Sequence, residues 1–426
     1  MKLSFSSLSQ YATHPFVTQS ITVLFSSVFS NASAYLYHLF VGRILGPTAY
    51  GELGALLSLF YILNVVSGAV LNILTKYFSE FSLTHDTGQT KQLLIQSTWY
   101  LGIFSGIGLA FILIVNTSVS SFLNLSSLQY LPIVYGIFII GLLTFVPTGA
   151  LQGYQRFVPL SICTNVGGVL RLIFCITGAF FGVFWTLIAN VASSIITYVL
   201  TWIPMRFALA TRSTKLVISK RGALEYSIPT ILATFGITML YSVDVLLVKH
   251  FFSSEEAGLY ASLSVLGKII YFMSYAITVV LFPTIVKRVT AKKPIRKYVV
   301  TSLGVVGGIS CILTVAYFLF PQVVVEVLFG NRFGAVVPYV GSFGVFITFF
   351  TLSNVLILIC LAANSVNVWM LSFAASVMQI LLIYTRHNSI HDIIFNNTLV
   401  TGVLFCLLVL YYYFYIDRPE QRRQHV

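Results

Sequence analysis

The 426 residues carry 24 Lys and Arg against 11 Asp and Glu, yet charged side chains make up only 8% of the chain and AVILMFWYC residues 58%. So few charges cannot clothe a water-facing globule, which excludes a soluble enzyme. The net charge of +13 is then spent at lipid headgroups rather than on nucleic acid.

Hydrophobic stretches near or above the roughly 20 residues that cross about 30 Å of hydrocarbon recur along the chain. In order they cover 16–42, 53–75, 92–115, 129–151, 158–180, 182–205, 227–252, 258–286, 298–320, 335–361, 367–385 and 393–416. The fold class expected is an all-α polytopic membrane protein with about twelve transmembrane helices. Ala32-Ser33-Ala34 follows a weak apolar core and looks like a signal-peptidase site, but the first span reads as an uncleaved helix because the internal repeat needs it. Five cysteines lie inside spans without CxxC spacing, so neither a disulfide framework nor a zinc site is implied, and no cofactor motif is present. His85, His387 and His391 fall in connecting segments and read as solvated.

Basic residues near helix ends are retained in the cytoplasm. Placed with the N-terminus inside, the inner segments hold Lys2, Lys76, Lys91, Arg156, five more between Arg206 and Arg221, six between Lys287 and Lys297, and Arg418, Arg422 and Arg423. The outer segments hold only Arg43, Lys249, Arg332 and Arg386, while Arg171 and Lys268 lie within spans. Both termini are therefore expected on the cytoplasmic side of the cell membrane.

Laying the chain on itself with a shift of about 207 residues reveals a repeat. The outer turn Val41–Leu53 matches Val248–Tyr260, with Gly51 on Gly258, and GxxxG pairs recur at Gly102/Gly106 and Gly304/Gly308, where they predict close helix packing. Two six-helix lobes result, 1–206 and 207–426, joined by a basic linker near 206–226 and related as parallel repeats about an axis along the membrane normal. Such lobes imply alternating access around a site between them.

Polar stripes at helical spacing mark the inward faces. The eighth span carries Ser264, Lys268, Tyr271, Tyr275 and Thr278, the second Gly54, Ser58, Tyr61, Gly68 and Asn72. Tyr61 falls on Lys268 under the shift. The seventh span adds Thr230, Thr234, Thr238, Tyr241 and Asp244, and the first Gln19, Thr22, Ser26, Ser30, Ser33 and Tyr37. Interhelical hydrogen bonding alone would also produce such stripes. Arg171, Asp244 and Lys268 each cost on the order of 3 kcal/mol near the bilayer centre, so they must face protein or water. Lys268 reads either as an anion contact or as the ion-pair partner of Asp244, and Arg171 as a cavity cation or a side chain reaching a backbone carbonyl.

Arg43-Ile44-Leu45-Gly46-Pro47-Thr48-Ala49-Tyr50-Gly51 resembles the Arg-x-Leu-Gly-x-x-x-Tyr-Gly signature of Wzx-type oligosaccharide flippases, within the multidrug/oligosaccharidyl-lipid/polysaccharide exporter superfamily. Asp244–Val248 leading to Glu256–Tyr260 is similar to the second-half counterpart, and Leu151-Gln152-Gly153-Tyr154-Gln155-Arg156-Phe157 to the family's turn after the fourth helix. His250 departs from the Arg of the signature. The resemblance implies a polyprenyl-pyrophosphate-linked oligosaccharide as substrate, turned to the outer leaflet for cell-surface polysaccharide assembly. It also implies membrane lipids, a polysaccharide polymerase and glycosyltransferases of the same pathway as partners. The substrate-binding candidates are Lys268, Arg171, Tyr61, Asn72, Tyr271 and Tyr275 with Arg43 of the signature, and Asp244 is the ion-coupling or ion-pair candidate. A multidrug or organic-cation antiporter would call for more cavity carboxylates than Asp244. A membrane glycosyltransferase or ligase would call for a larger hydrophilic loop or paired acidic residues. In intact cells, a cysteine introduced near Lys293 is expected to resist an impermeant thiol reagent and one near Ser120 to react; the opposite labelling would reverse the orientation.

Overall fold

A computed structural model describes residues 15–84, 86–214, 221–363 and 365–417. Lys2, His85, Lys215, Lys220, Arg418, Arg422 and Arg423 lie outside the described residues, as do the side chains of Gln19, Arg221, Thr230, Tyr275 and Thr278.

The long helices are α1 (Pro15–Leu83), α2 (Thr87–Phe122), α3 (Tyr130–Gly153), α4 (Phe157–Ala179), α5 (Val183–Trp202), α6 (Arg221–Leu240), α7 (Val243–Phe251), α8 (Ser254–Thr290), α9 (Arg296–Leu319), α10 (Val340–Ala362), α11 (Trp369–Thr385) and α12 (Ile390–Tyr412). Nine helices among the described residues are long and apolar enough to span a membrane, and α6 with α7 makes a tenth as one bent span. One of the nine, the stretch Phe25–Leu83 within α1, runs about 88 Å at 1.5 Å per residue, enough for two crossings. With α11 as a shorter apolar helix of 17 residues, the described residues make the twelve passes read from the sequence.

Two breaks differ from the expected turns. The segment 43–52, expected as a loop, is helical except at Gly46, whose φ of 74° is open to a residue without Cβ. Pro47 then restarts the helix, where its missing N–H costs nothing. The matching break in the second half uses other chemistry: Ser253 caps α8 in a capping box with Glu256. The seventh span, expected as one helix, breaks at Tyr241 and Ser242 and bends by 41°. Asp244 therefore sits in the first turn of α7, where a carboxylate is favoured by the helix dipole. Neither Pro nor Gly marks that break in the sequence.

Two compact units form, each described by itself. The first takes in residues of 1–44, 66–118 and 127–223, the second 45–65, 119–126 and 224–426. In the first, α5 packs on α3 and α4, and an apolar cluster gathers Leu74, Phe78, Leu94, Leu151, Met205 and Ala208. Gly153 of the predicted turn motif lies so close to Phe78 that a Cβ would fall 2.6 Å from the Phe78 Cβ. Lys91 donates to the carbonyls of Leu209 and Thr211 at 2.8 and 2.9 Å, tying the start of the linker down with a cation at helix-end carbonyls. Asp86 caps α2 by accepting from the Gln89 backbone at 2.9 Å. That bond, followed by one from the Gln89 side chain, holds its carboxyl below the usual range. In the second unit α10 is buried along nearly its whole length and packs against α8, α9 and α12.

The repeat is written into the contacts of the second unit. A Cβ on Gly51 would lie 2.6 Å from both the Ser254 carbonyl oxygen and the Gly258 nitrogen, and a Cβ on Gly258 would collide with the Pro47 carbonyl oxygen. A Cβ on Gly54 would meet that of Ala261 at 2.6 Å. These pairs reciprocate under the 207-residue shift, as residues do across a two-fold axis. Small residues let the two backbones approach this closely.

The GxxxG pairs behave otherwise. Gly102, Gly106, Gly304 and Gly308 have nothing within 4 Å of a Cβ position, so the close packing expected there is absent and these glycines face open space. In the last turn of α2, Ser120 is buried and Ser121 beside it is exposed. Gly51→Ala or Gly258→Ala is expected to cost about 1–3 kcal/mol or more through backbone overlap. Gly102→Ala and Gly304→Ala should stay within about 0.5 kcal/mol or stabilise. Thermal unfolding of detergent-solubilised protein separates the two classes.

Candidate functional site

Lys268 stands 14 residues into α8, about 21 Å along the helix from its start at Ser254. Its Nζ lies 4.5 Å from the ring centroid of Tyr61 and 5.9 Å from that of Tyr241. Tyr271 stacks on Tyr241 at 6.5 Å, and Phe350 closes the group at 5.6 Å from each of these two rings. The ammonium is thus held against aromatic faces, an arrangement that contributes about 0.5–2 kcal/mol. Tyr61 and Lys268 touch across the same two-fold pattern as Gly51 and Gly258.

Among the described residues no salt bridge joins Asp244 to Lys268; the ion pairs there are Arg296–Asp417 and Arg386–Asp392. The Asp244 carboxylate instead accepts from Tyr260 Oη at 2.6 Å, Asn397 Nδ2 at 3.1 Å and its neighbouring Val245 N–H at 2.8 Å. Asn397 also donates to Tyr260 Oη at 2.9 Å and accepts from Gln379 Nε2 at 2.9 Å. Gln379 in turn donates to the Leu240 carbonyl at 3.0 Å. That carbonyl belongs to the end of α6, where the helix break leaves it without its regular partner. The chain from Leu240 through Gln379 and Asn397 to Asp244 therefore grows out of the bend, and it satisfies a carboxylate that is only 1% exposed.

The remaining candidates fall elsewhere. Arg171 lies in the first unit with its guanidinium 4.6 Å over the Tyr37 ring. It lines a cavity of about 320 Å3 bounded by the first arm of α1, α3, α4 and α5. Ser26 and Ser30 of the first-span stripe both donate to Asn165 Oδ1, at 3.1 and 2.9 Å. Arg43 is exposed three residues before the Gly46 break, and Asn72 is exposed on the second arm of α1. Tyr275 has no described side chain.

Lys249 and Glu52 are among the buried ionisable groups that sequence reasoning missed. Lys249, taken as an outer-loop residue, is fully buried in α7 and donates to Ser254 Oγ at 2.7 Å. Glu52, the residue after the signature, is 8% exposed and accepts from the Ser126 backbone and hydroxyl at 2.8 and 3.0 Å. The signature's Tyr50 is buried against Phe329 and Phe333, so Tyr50, Gly51 and Glu52 all serve as packing and anchoring groups. His387 is not simply solvated: it stacks on Phe251 at 3.8 Å. His250 likewise stacks on Phe122 at 4.0 Å, its Nδ1 2.6 Å from the Phe122 carbonyl. Among the described residues no three His, Cys, Asp or Glu side chains converge as a metal site would require.

A family model described as polysaccharide biosynthesis protein matches residues 40–338, well over half of the chain. The chain belongs to this family. Among curated protein sequences none matches the chain. Solved structures share its fold. An inward-facing multidrug resistance MATE family transporter of the MOP superfamily is 14% identical with a TM-score of 0.68, covering 88% of this chain and 93% of that one. The MATE multidrug transporter DinF-BH is 15% identical at 0.67, covering 93% and 94%. The lipid II flippase MurJ, in an inward closed conformation, is 13% identical at 0.67, covering 92% and 87%. A family of polysaccharide biosynthesis proteins thus shares its fold with both multidrug transporters and a lipid flippase.

Asn397→Ala removes one donor from Asp244 and strands Gln379. It is expected to lower stability by about 1–3 kcal/mol, and Gln379→Ala combined with it should cost less than the sum. Thermal unfolding of the two single variants and the double variant checks both.

Proposed function

We propose that the protein turns an oligosaccharide carried on a polyprenyl pyrophosphate from the cytoplasmic to the outer leaflet by alternating access, with both termini cytoplasmic. The lobes 1–206 and 207–426 are the moving parts of that reading. The observation that carries it is Lys268, a cation lodged about 21 Å along α8 between Tyr61 and Tyr241. A pyrophosphate entering hydrocarbon loses its hydration, and a cation at depth offsets part of that cost. Tyrosine faces suit the apolar sides of sugar rings, and their hydroxyls the ring substituents. The family's link to polysaccharide biosynthesis and the fold shared with a lipid II flippase support the same reading. An organic-cation antiporter is less well supported, because the carboxylate it would use, Asp244, already receives three hydrogen bonds.

Depleting the protein should cause a lipid-linked oligosaccharide to accumulate on the cytoplasmic leaflet, and its identification fixes sugar and carrier together. Lys268→Ala is expected to lower export at least about tenfold, the loss of one charged hydrogen bond, at near-normal membrane abundance. Lys268→Arg should retain most of it. Normal export by Lys268→Ala would remove Lys268 from the substrate path.

A further inference from the structure

The cavity of the first unit has a polarity that selects its ligand. Serine and threonine hydroxyls line it from four helices, and each hydroxyl has one hydrogen to give and two lone pairs to offer. Ser30 gives its hydrogen to Asn165 Oδ1. Thr144 gives its own to the Ile140 carbonyl and Thr164 to that of Leu160. Ser193 and Ser194 both donate to the Asn190 carbonyl, and Thr197 donates to that of Ser193. These are back-bonds within each hydroxyl's own helix, apart from that of Ser30. What the six hydroxyls leave for the cavity is acceptor capacity. The complementary ligand is rich in O–H donors.

The charged donor on the protein side comes from one place. Arg171 brings a guanidinium with a fork of N–H groups suited to a carboxylate or phosphate, set over Tyr37 at 4.6 Å. Room is made by missing side chains: Gly141 has nothing within 4 Å of a Cβ position, and at Gly168 the nearest atom is the Ser33 Cβ at 3.8 Å. The volume of about 320 Å3 lies at the small end of ligand pockets.

We propose that this cavity is a subsite for one anionic sugar residue, its hydroxyls donating to the serine and threonine oxygens and its carboxylate or phosphate held by Arg171. The inference rests on the reading of the protein as an exporter of lipid-linked oligosaccharide, and it is separate from the Lys268 cluster of the second unit. The anion has two sources, a uronic acid carboxylate within the glycan or the phosphate joining the first sugar to its carrier.

The test is binding of glucuronate, glucose 1-phosphate and glucose to the purified full-length protein in lipid nanodiscs, read by calorimetry or saturation-transfer NMR. Both anionic sugars are expected to bind at least about tenfold tighter than glucose. A preference for glucuronate assigns the anion to the glycan, and a preference for glucose 1-phosphate assigns it to the carrier linkage. Arg171→Gln should erase the preference for anions and Arg171→Lys retain part of it. Gly168→Leu and Gly141→Leu, on different helices, should each weaken all three sugars by filling the cavity. Lys297→Gln, at an exposed position, controls for lost charge. Equal binding of glucose and the anionic sugars, binding of none of them, or an anion preference that survives Arg171→Gln overturns the proposal. The two readings fail separately. Accumulation of a lipid-linked oligosaccharide on depletion with a cavity indifferent to anionic sugars sinks only the subsite. Anionic-sugar binding without such accumulation sinks the flippase.

Discussion

The close crossing of two backbones at Gly51 and Gly258 is the constraint on which the second unit depends. Each glycine faces backbone of the other hairpin, Ser254 on one side and Pro47 on the other, and no side chain can be inserted without moving a helix. Because the contact is reciprocal, it fixes register as well as distance. One turn along, Gly54 meets Ala261, and two turns further Tyr61 receives Lys268. The depth at which the cation sits is therefore set by where the glycines cross.

The second constraint is the bend at Tyr241 and Ser242. Breaking a helix inside a membrane exposes carbonyls that lipid cannot satisfy. Gln379 takes up the Leu240 carbonyl, orients Asn397, and Asn397 joins Tyr260 on the carboxylate of Asp244. Bend and carboxylate support each other: the new helix start favours the acid, and the acid gathers the amides that close the opened ladder.

Much of the architecture was legible because the membrane restricts what a sequence can mean. Uninterrupted apolar runs announced the passes, and the 207-residue shift announced the equivalence of Gly51 with Gly258 and of Tyr61 with Lys268, but not that these equivalent positions touch. What could not be read was local. The bend in the seventh span has no Pro or Gly to signal it, and the expected arc from Thr230 to Asp244 assumed a straight helix that ends at Leu240. Lys249 and Glu52 sit near helix ends, where charge normally means solvent; their burial follows from loop and turn contacts that have no periodicity. The GxxxG pairs carried the spacing of a packing motif without a partner, because spacing cannot say which face of a helix meets another. Of the polar stripes, the first span's joined the cavity around Arg171, and Tyr61 joined Lys268. Asn72, about three turns beyond Tyr61, is exposed and belongs to the first compact unit.

The contact between Lys268 and Tyr61 has a further implication for how such a chain arises. If a single six-helix half assembled as a homodimer through the same crossing, position 61 would face a copy of itself. Two tyrosines, or two lysines repelling one another in a medium of low dielectric, would be the only choices. Joining two halves in one chain releases the positions to diverge, so that one supplies a cation and the other the ring that holds it. The fused repeat thereby gains a polarity across its own axis that no symmetric pair could carry.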